Sequence, residues 1–219
     1  FGSADVLPLW VADMDFAAPA AVTDALLARA AHPVYGYTLF PPELVNSLID
    51  WFAARHGWSI QPEWVVMAPG VVPSLHAVAL AFAEAGQGII VQPPVYPPFF
   101  SAVEKTDRRL LINPLLEEGG RYQMDFAHLE ACMQEGARVL FLCSPHNPVG
   151  RVWRRDELEH VLELAERYQV LIFSDDIHCD LVYRGQQHQM LAALSGADGR
   201  VITAVAPSKS FNIPGMGLS

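Results

Sequence analysis

Short apolar runs alternate with helical patterns from Gly88 onward. The runs are almost continuously apolar, which is typical of strands buried on both faces. The predicted strands cover residues 89–91, 110–112, 139–142, 170–173 and 201–205, and the predicted helices lie near 99–103, over 126–134 and over 156–168. This order predicts an α/β fold, in which helices sandwich a mostly parallel sheet.

The first part of the chain has a different pattern. Residues 1–18 are too irregular for a helix and too rich in large apolar groups for a free tail, so we expect a packed N-terminal arm. Helical spacing predicts one helix from Pro19 to Ala30 and another from Pro41 to Gly57. A short strand is expected at 65–67, followed by a glycine and a helix that begins at Val72.

Composition and charge narrow the class of protein. The 219 residues are 52% hydrophobic and 17% charged, which indicates a globular chain with a sizeable core. The net charge of −10, without a cluster of cations, argues against a nucleic-acid partner. Prolines and glycine interrupt the uncharged stretch 65–83, so we expect no membrane span. Three cysteines without CxxC spacing indicate reduced thiols, and we predict a cytoplasmic protein.

Lys209 is the main chemical candidate. It follows the predicted strand 201–205, and small-molecule sites of α/β proteins lie at or just beyond strand ends. Among apolar neighbours, desolvation disfavours the ammonium form, and the free amine can condense with an aldehyde. Considered alone, however, Lys209 is more often a solvated loop lysine.

Other polar and aromatic residues also follow predicted strands. Because ligands bind beyond the carboxyl ends of parallel strands, these residues are interpreted together. A helix N-terminus after a glycine suits an anion, and a buried Asp175 suits a protonated pyridine nitrogen. Taken together the residues fit an aromatic aldehyde that carries a phosphate: Gly70 to Ser74, Tyr96, Asn147, Asp175, His178, Ser208 and Lys209.

Each of these residues also has a structural interpretation. Asp175 could be a helix N-cap, His178 a satisfied structural histidine, Asn147 part of a turn and Tyr96 ordinary packing. A metal site at Asp175, His178 and Asp180 is a further alternative. Because their spacing matches no dedicated metal motif and no second cluster supports it, we predict no metal.

Three segments in order carry a family resemblance: Ser144-Pro145-His146-Asn147-Pro148-Val149-Gly150, Ser174-Asp175-Asp176-Ile177-His178 and Ser208-Lys209-Ser210-Phe211-Asn212. The chain resembles fold-type I pyridoxal-phosphate enzymes, specifically the MalY/PatB-type cystathionine β-lyases (C–S lyases) of the aminotransferase class I/II superfamily. Residues 10–16 and 35–37 are also similar to that group. The separations of 28 residues from Asn147 to Asp175 and 34 from Asp175 to Lys209 make the match specific.

The resemblance implies a role for each matching residue around the pyridoxal phosphate ring. Lys209 would attach the cofactor and move the substrate α-proton, and Asp175 would pair with the pyridine nitrogen. Asn147 would donate to the ring hydroxyl oxygen, Tyr96 would stack on the ring, and His178 would contact the ring hydroxyl.

The resemblance also implies a phosphate site and a homodimer. The backbone at Val71 and Val72 and the hydroxyl of Ser208 would bind the phosphate. Tyr37 would reach the phosphate of the other subunit.

The implied reaction is β-elimination from cystathionine or a cysteine-like amino acid, which gives a thiol, pyruvate and ammonia. An aminotransferase of the same fold is one alternative. A non-catalytic regulatory or binding protein that keeps the fold is the other.

The resemblance finally predicts how the chain divides. Residues 1–40 are expected to form the arm and first helix, as part of a small domain or dimer contact, and residues 41–219 the cofactor-binding large domain. Phe1 is not a methionine, and by size priors the family runs to roughly twice this length. We therefore expect a fragment that lacks most of the C-terminal small domain, with the arginine for the substrate carboxylate beyond residue 219.

Overall fold

A five-stranded parallel sheet forms the centre of the structure, a computed structural model that describes residues 2–3, 5–7, 11–196 and 199–219. Its strands lie in the order β2-β1-β5-β6-β7, and every neighbouring pair is parallel. A separate antiparallel hairpin, β3–β4, follows β2. The strands are β1 (Gly88–Val91), β2 (Arg109–Ile112), β3 (Leu116–Glu118), β4 (Arg121–Gln123), β5 (Ala137–Cys143), β6 (Leu171–Asp175) and β7 (Val201–Ala204).

The α-helices begin and end where the sequence supplies suitable residues. Pro42 occupies the first turn of the second helix, and Gly57 ends it with a left-handed φ of 62°. The Asp125 carboxylate accepts a hydrogen bond from the His128 amide at 2.9 Å and caps the N-terminus of the fifth helix. The helices are α1 (Ala20–Ala30), α2 (Pro42–His56), α3 (Val71–Phe82), α4 (Pro98–Glu104), α5 (Phe126–Gln134), α6 (Arg155–Tyr168), α7 (Leu191–Ser195) and α8 (Pro207–Ser210). Short 3-10 turns cover Pro62–Trp64 and Pro214–Met216.

Two apolar layers cover the two faces of the sheet. One layer joins α3 and α4 to Ile89, Val91, Phe141 and Phe173, and the other joins α5, α6 and α7 to the alternate strand residues. Because successive strand residues point to opposite faces, strands covered on both sides are apolar throughout. The structure therefore confirms the predicted parallel sheet sandwiched by helices.

The N-terminal region contributes little to this core. Helix α1 has no buried residue, and Val11 and Phe16 of the arm are 69% and 77% exposed. These two side chains of the described arm are not buried, so the expectation that residues 1–18 pack as an arm is not met by them. The Asn212 side chain instead holds the arm by polar bonds to the Met14 and Phe16 carbonyls. Phe1 and Trp10 lie outside the described residues, and the division at residue 40 stays a prediction.

The strand predicted at 65–67 is also wrong. Val65 to Met67 pair with no strand in the described part of the chain. β7, at the edge of the sheet, has only β6 as its neighbour. At the end of this segment Ala68 and Ser219 exchange two backbone hydrogen bonds, of 2.8 and 2.9 Å. The next helix begins at Val71 rather than Val72, and Asp175 is the last residue of β6 rather than a residue beyond it.

The predictions omitted the hairpin β3–β4 and the short helix α7. Gly119 and Gly120, which separate the hairpin strands, both adopt positive φ, and such a pair is a recognisable hairpin signal.

Across the described segments, no helix combines the length and apolar character needed to cross a membrane.

The buried Trp153 provides a test of how β5 is anchored at its carboxyl end. Its indole N–H donates to the Cys143 carbonyl at 2.9 Å, and the residue is 1% exposed. Trp153→Phe removes this donor and leaves a small void, so we expect a loss of about 1–3 kcal/mol in the free energy of unfolding. Urea denaturation of the full-length protein measures it. Trp64→Phe, at a residue that is 49% exposed, is the control and should change stability by less than about 0.5 kcal/mol; equal effects of the two changes would contradict this account.

Candidate active site

The carboxyl ends of β1 and β5 form a switch point in the sheet. β1 pairs with β2 on one side and with β5 on the other. The chain therefore adds β2 on one side of β1, and the next strand of this sheet, β5, on the opposite side. A crevice outside the carboxyl ends is expected at such a point. Tyr96 follows β1 and Asn147 follows β5, and the Tyr96 amide donates to the Asn147 carbonyl at 3.0 Å. The structure thus brings these two predicted residues together.

Asp175 lies at the carboxyl end of β6, level with Cys143 of β5 and Ala204 of β7. The residue is 5% exposed, and its Oδ1 accepts from the Ile177 amide at 3.2 Å. Burial raises the pKa of Asp175 to about 7, and the charge of Asp176 adds to this rise, whereas the Ile177 bond and the charge of Lys209 act against it. A carboxyl group in this setting is stabilised in its charged form by a further cation or donor.

Lys209 and Ser208 lie in the short helix α8, which follows β7. The Lys209 charge affects two predicted residues: it lowers the pKa of Asp175, and, after the larger effect of burial, it lowers the pKa of the half-buried His178. Asp175 ends β6, His178 follows it closely and Lys209 lies shortly after β7, so the charge of Lys209 acts on both other side chains. Burial and the Lys209 charge both favour the uncharged imidazole of His178 by lowering its pKa.

A helix N-terminus lies at the same end of the sheet. Helix α3 begins at Val71, and its first hydrogen bond runs from the Ser74 amide to the Gly70 carbonyl at 3.2 Å. The Val71 and Val72 amides precede that bond, so they are available to an anion at the positive end of the helix dipole. Gly70 has a φ of 155°, which other residues rarely adopt. Val71 packs in the same apolar layer as Cys143 and Ala204, which places this N-terminus beside β5 and β7.

Tyr37 is the predicted site residue that the structure does not bring to this cluster. Its side chain is fully exposed, in a segment with several other exposed large apolar residues. Most of the other predicted residues lie at or shortly after the carboxyl ends of strands: Tyr96, Asn147, Asp175, His178, Ser208 and Lys209. Val71 and Val72 instead begin α3, which precedes β1 along the chain and packs against β5 and β6.

A hydrogen-bond network centred on Asp180 was not predicted. Trp51 and His56 of α2 and Ser210 of α8 all contact the Asp180 carboxylate. The sequence contains partial signals for these two residues, since Asp180 is a candidate metal ligand and Ser210 belongs to a segment that resembles the family. Its link to α2 had no signal, because the two segments are far apart along the chain.

The metal alternative takes a different form in the structure. Asp175, His178 and Asp180 do not bring their ligand atoms together, since the group found among the described residues is His56, Cys179 and Asp180, with ligand atoms within 4.8 Å of one another. Burial raises the pKa of the Cys179 thiol far above its usual range, and the charge of Asp180 raises it further. A protonated thiol is a poor metal ligand.

Comparison with known proteins finds relatives from the group that the sequence resembles. Over 221 residues the chain is 45% identical to cystathionine beta-lyase PatB of Bacillus subtilis (strain 168), covering 100% of this chain and 57% of that protein. It is 34% identical to protein MalY of Escherichia coli (strain K12), covering 99% of this chain and 55% of the relative. Curated relatives named as aminotransferases are more distant. The chain thus spans little more than half the length of these relatives.

The fold is shared with a solved structure that contains a pyridoxal 5'-phosphate cofactor, cystalysin from Treponema denticola. The TM-score is 0.95 at 39% identity, and the match covers 99% of this chain and 56% of cystalysin. The family described as aminotransferase class I and II matches residues 4–218. These matches confirm the resemblance inferred from the three segments, and the chain belongs to the aminotransferase class I and II family.

Proposed function

We propose that the full-length protein is a pyridoxal-phosphate-dependent carbon–sulfur lyase. It would convert cystathionine or a cysteine-like amino acid, with water, into a thiol, pyruvate and ammonia. The observation that carries the proposal is a buried Asp175 at the end of β6 on which the charge of Lys209, in the helix that follows β7, acts. The 45% identity to a cystathionine beta-lyase supports the lyase reaction in particular.

The described residues fit pyridoxal phosphate at this site. Asp175 has one backbone donor and a strongly raised pKa, so a protonated pyridine nitrogen would supply the cation that this carboxyl group needs. Asn147 and Tyr96, joined through their backbones, would hold the ring hydroxyl and the ring face. When bound, the cofactor supplies an electron-withdrawing ring that accepts the electron pair left at the substrate Cα.

Lys209 would carry out the proton transfer. Its Nζ would hold the cofactor aldehyde and, in the presence of an amino-acid substrate, would take the proton from the substrate Cα. A neutral His178 beside it adds no competing positive charge and can donate to the ring hydroxyl oxygen. An ionised Asp175 would stabilise a proton on the ring nitrogen.

The phosphate would lie at the N-terminus of α3. The Val71 and Val72 amides and the Ser208 hydroxyl would donate hydrogen bonds to it. Tyr37 would complete this site from the partner of a homodimer. The full exposure of Tyr37 and the absence of a buried residue in α1, as described, support a second copy as its partner. A cytoplasmic location is proposed with this activity.

An aminotransferase is the second candidate, favoured by the family to which the chain belongs. The same groups could return the proton to the cofactor instead of expelling a thiolate. The products distinguish the two reactions. A transaminase gives a keto acid that keeps the side chain, whereas a lyase gives pyruvate and a free thiol.

Product analysis tests the lyase assignment. Incubation of the full-length protein, loaded with pyridoxal phosphate, with cystathionine should release pyruvate and thiol in equal amounts without an added keto acid. A lactate dehydrogenase assay for pyruvate and a thiol reagent measure both products. Dependence on an added keto acid, with the sulfur retained in the product, would establish transamination instead.

The two lysines of the sequence, Lys105 and Lys209, provide a matched pair for testing the anchor. Lys209→Ala should remove the visible absorption band of bound cofactor and lower turnover by at least about 10³-fold, since it removes both the anchor and the proton-transfer group. Lys105→Ala should leave both unchanged, because Lys105 is exposed beyond α4. After borohydride treatment, peptide mapping should find the cofactor mass on the peptide containing Lys209. Its appearance on another lysine would overturn the assignment.

Asp175 should give the cofactor-free protein a specific pH dependence. Its folded-state pKa of about 7 lies above the usual 3.8, so the folded chain binds this proton more tightly than the unfolded chain. The resulting stability is present below pH 4 and is lost as the pH rises towards 7, at up to about 1.4 kcal/mol per pH unit. Asp175→Asn removes this loss and weakens cofactor binding.

Urea unfolding of the two cofactor-free full-length proteins, at intervals from pH 4 to pH 8, measures the effect. The variant should gain stability relative to the natural protein up to about pH 7 and show a constant difference above it. Parallel curves over the whole range would show that burial does not raise the pKa of Asp175.

A further inference from the structure

The Asp180 carboxylate links helix α2 to helix α8. It accepts from the Trp51 indole N–H at 3.2 Å, from His56 Nε2 at 2.9 Å and from the Ser210 hydroxyl at 3.1 Å. Trp51 and His56 belong to α2, whereas Ser210 directly follows Lys209 in α8. The Asp180 side chain is 14% exposed and that of His56 is 6% exposed, so water competes little for these bonds.

The network keeps the carboxylate charged. Burial alone would raise the pKa of Asp180, but the hydrogen bonds from His56, Ser210 and Trp51 outweigh it and lower the pKa. An ionised carboxylate has no proton to donate, so Nε2 of His56 is the donor in their 2.9 Å contact. Hydrogen bonds to a charged acceptor are shorter and stronger than neutral ones.

Helix α8 depends on such external bonds. It is a single turn of four residues, too short to be stable by itself. A cavity of about 300 Å³ separates part of it from α2, with lining residues that include Trp51, Phe52, Ala206 and Pro207. Beside this cavity the Trp51 and Phe211 rings contact each other edge to face, with centroids 5.6 Å apart. The polar link from α8 to α2 runs from Ser210 through Asp180 to Trp51 and His56.

A metal site formed by His56, Cys179 and Asp180 explains these contacts less well. Both Asp180 oxygens already accept protons from N–H or O–H groups, and the Cys179 thiol is held protonated by burial. The cluster is therefore a hydrogen-bond network.

We infer that Asp180 is a positioning residue for Lys209, which fixes the Lys209 backbone relative to α2 through the Ser210 hydroxyl. The inference rests on the proposed function, in which Lys209 anchors the cofactor. It adds a requirement that the Lys209 helix be held at one position, because a lysine that shifts with an unanchored turn meets the cofactor and the substrate Cα in varying geometry.

Hydroxyl replacements at Ser210 test this inference with little risk to folding. In the full-length protein loaded with pyridoxal phosphate, Ser210→Ala should speed cofactor release about tenfold or more, which is the scale of one hydrogen bond to a charged group. The visible circular dichroism per bound cofactor should also fall, because its orientation is less fixed. Ser210→Thr keeps the hydroxyl and should behave like the natural protein. Asp180→Asn, which keeps the shape but removes the charge, should have at least the effect of Ser210→Ala.

Ser101→Ala is the matched control. It removes a hydroxyl that donates to the Pro98 carbonyl of its own helix, α4, so release rate and dichroism should stay unchanged. A purely structural role of Asp180 would lower the thermal midpoint and leave the visible dichroism per bound cofactor as it is.

The possible results separate this inference from the proposed function. Native release rates and dichroism in both Ser210→Ala and Asp180→Asn would overturn the positioning role and leave the proposed function intact. Failure of the natural full-length protein to retain pyridoxal phosphate would overturn the proposed function, and the positioning role with it. If Asp180→Asn does not fold, the comparison of Ser210→Ala with Ser210→Thr decides.

Discussion

The parallel register of β5, β6 and β7 is the constraint on which the candidate active site depends. Cys143, Asp175 and Ala204 pair across these three strands, so the segments that follow them start at one level. The segments that carry Asn147 and Lys209 therefore begin at the same edge of the sheet as Asp175, although they are far apart along the chain. A shift of one residue in β6 would turn Asp175 to the opposite face and place Ser174 in the site. The apolar layers on both faces oppose such a shift, because it would exchange Phe173 and Ile172 between two fitted cores.

The three carboxylates near the end of β6 differ in their partners, and the partners indicate what each can do. Asp180 accepts from three side chains and stays charged. Asp176 accepts from the Ser174 hydroxyl and lies 3.5 Å from His188 Nε2. Asp175 has one backbone donor and a pKa of about 7. The fold thus satisfies Asp180 with three side-chain donors, whereas Oδ2 of Asp176 is buried without a hydrogen-bond partner among the described residues. Asp175 combines a raised pKa with the nearby charge of Lys209, so it is a carboxyl group that a cationic ligand would stabilise.

The sequence predicted the sheet because its strands are apolar on both faces, and it predicted residues such as Asn147 and Asp175 because they follow those strands. It was harder to predict which segments lie next to each other in the fold. The segment 65–67 has the composition of a strand, but the described chain offers it no neighbour along its length. The Asp180 network joins α2 to residues more than 120 positions later, and no periodic pattern reports such a contact. The exposure of Tyr37 within this chain is compatible with the expected contact to another subunit, and that contact stays a prediction.

The segment that carries Lys209 is held from two directions. On one side, Ser210 binds Asp180 and through it α2. On the other, Asn212 adopts a left-handed φ of 51°, a conformation that asparagine tolerates better than most residues, and its side chain bonds to the Met14 and Phe16 carbonyls at 2.9 and 2.7 Å. A one-turn helix between two such anchors has little freedom to shift. One anchor is an arm in which Val11 and Phe16 are exposed. The position of Lys209 is therefore tied to the N-terminal arm as well as to Asp180 and the sheet.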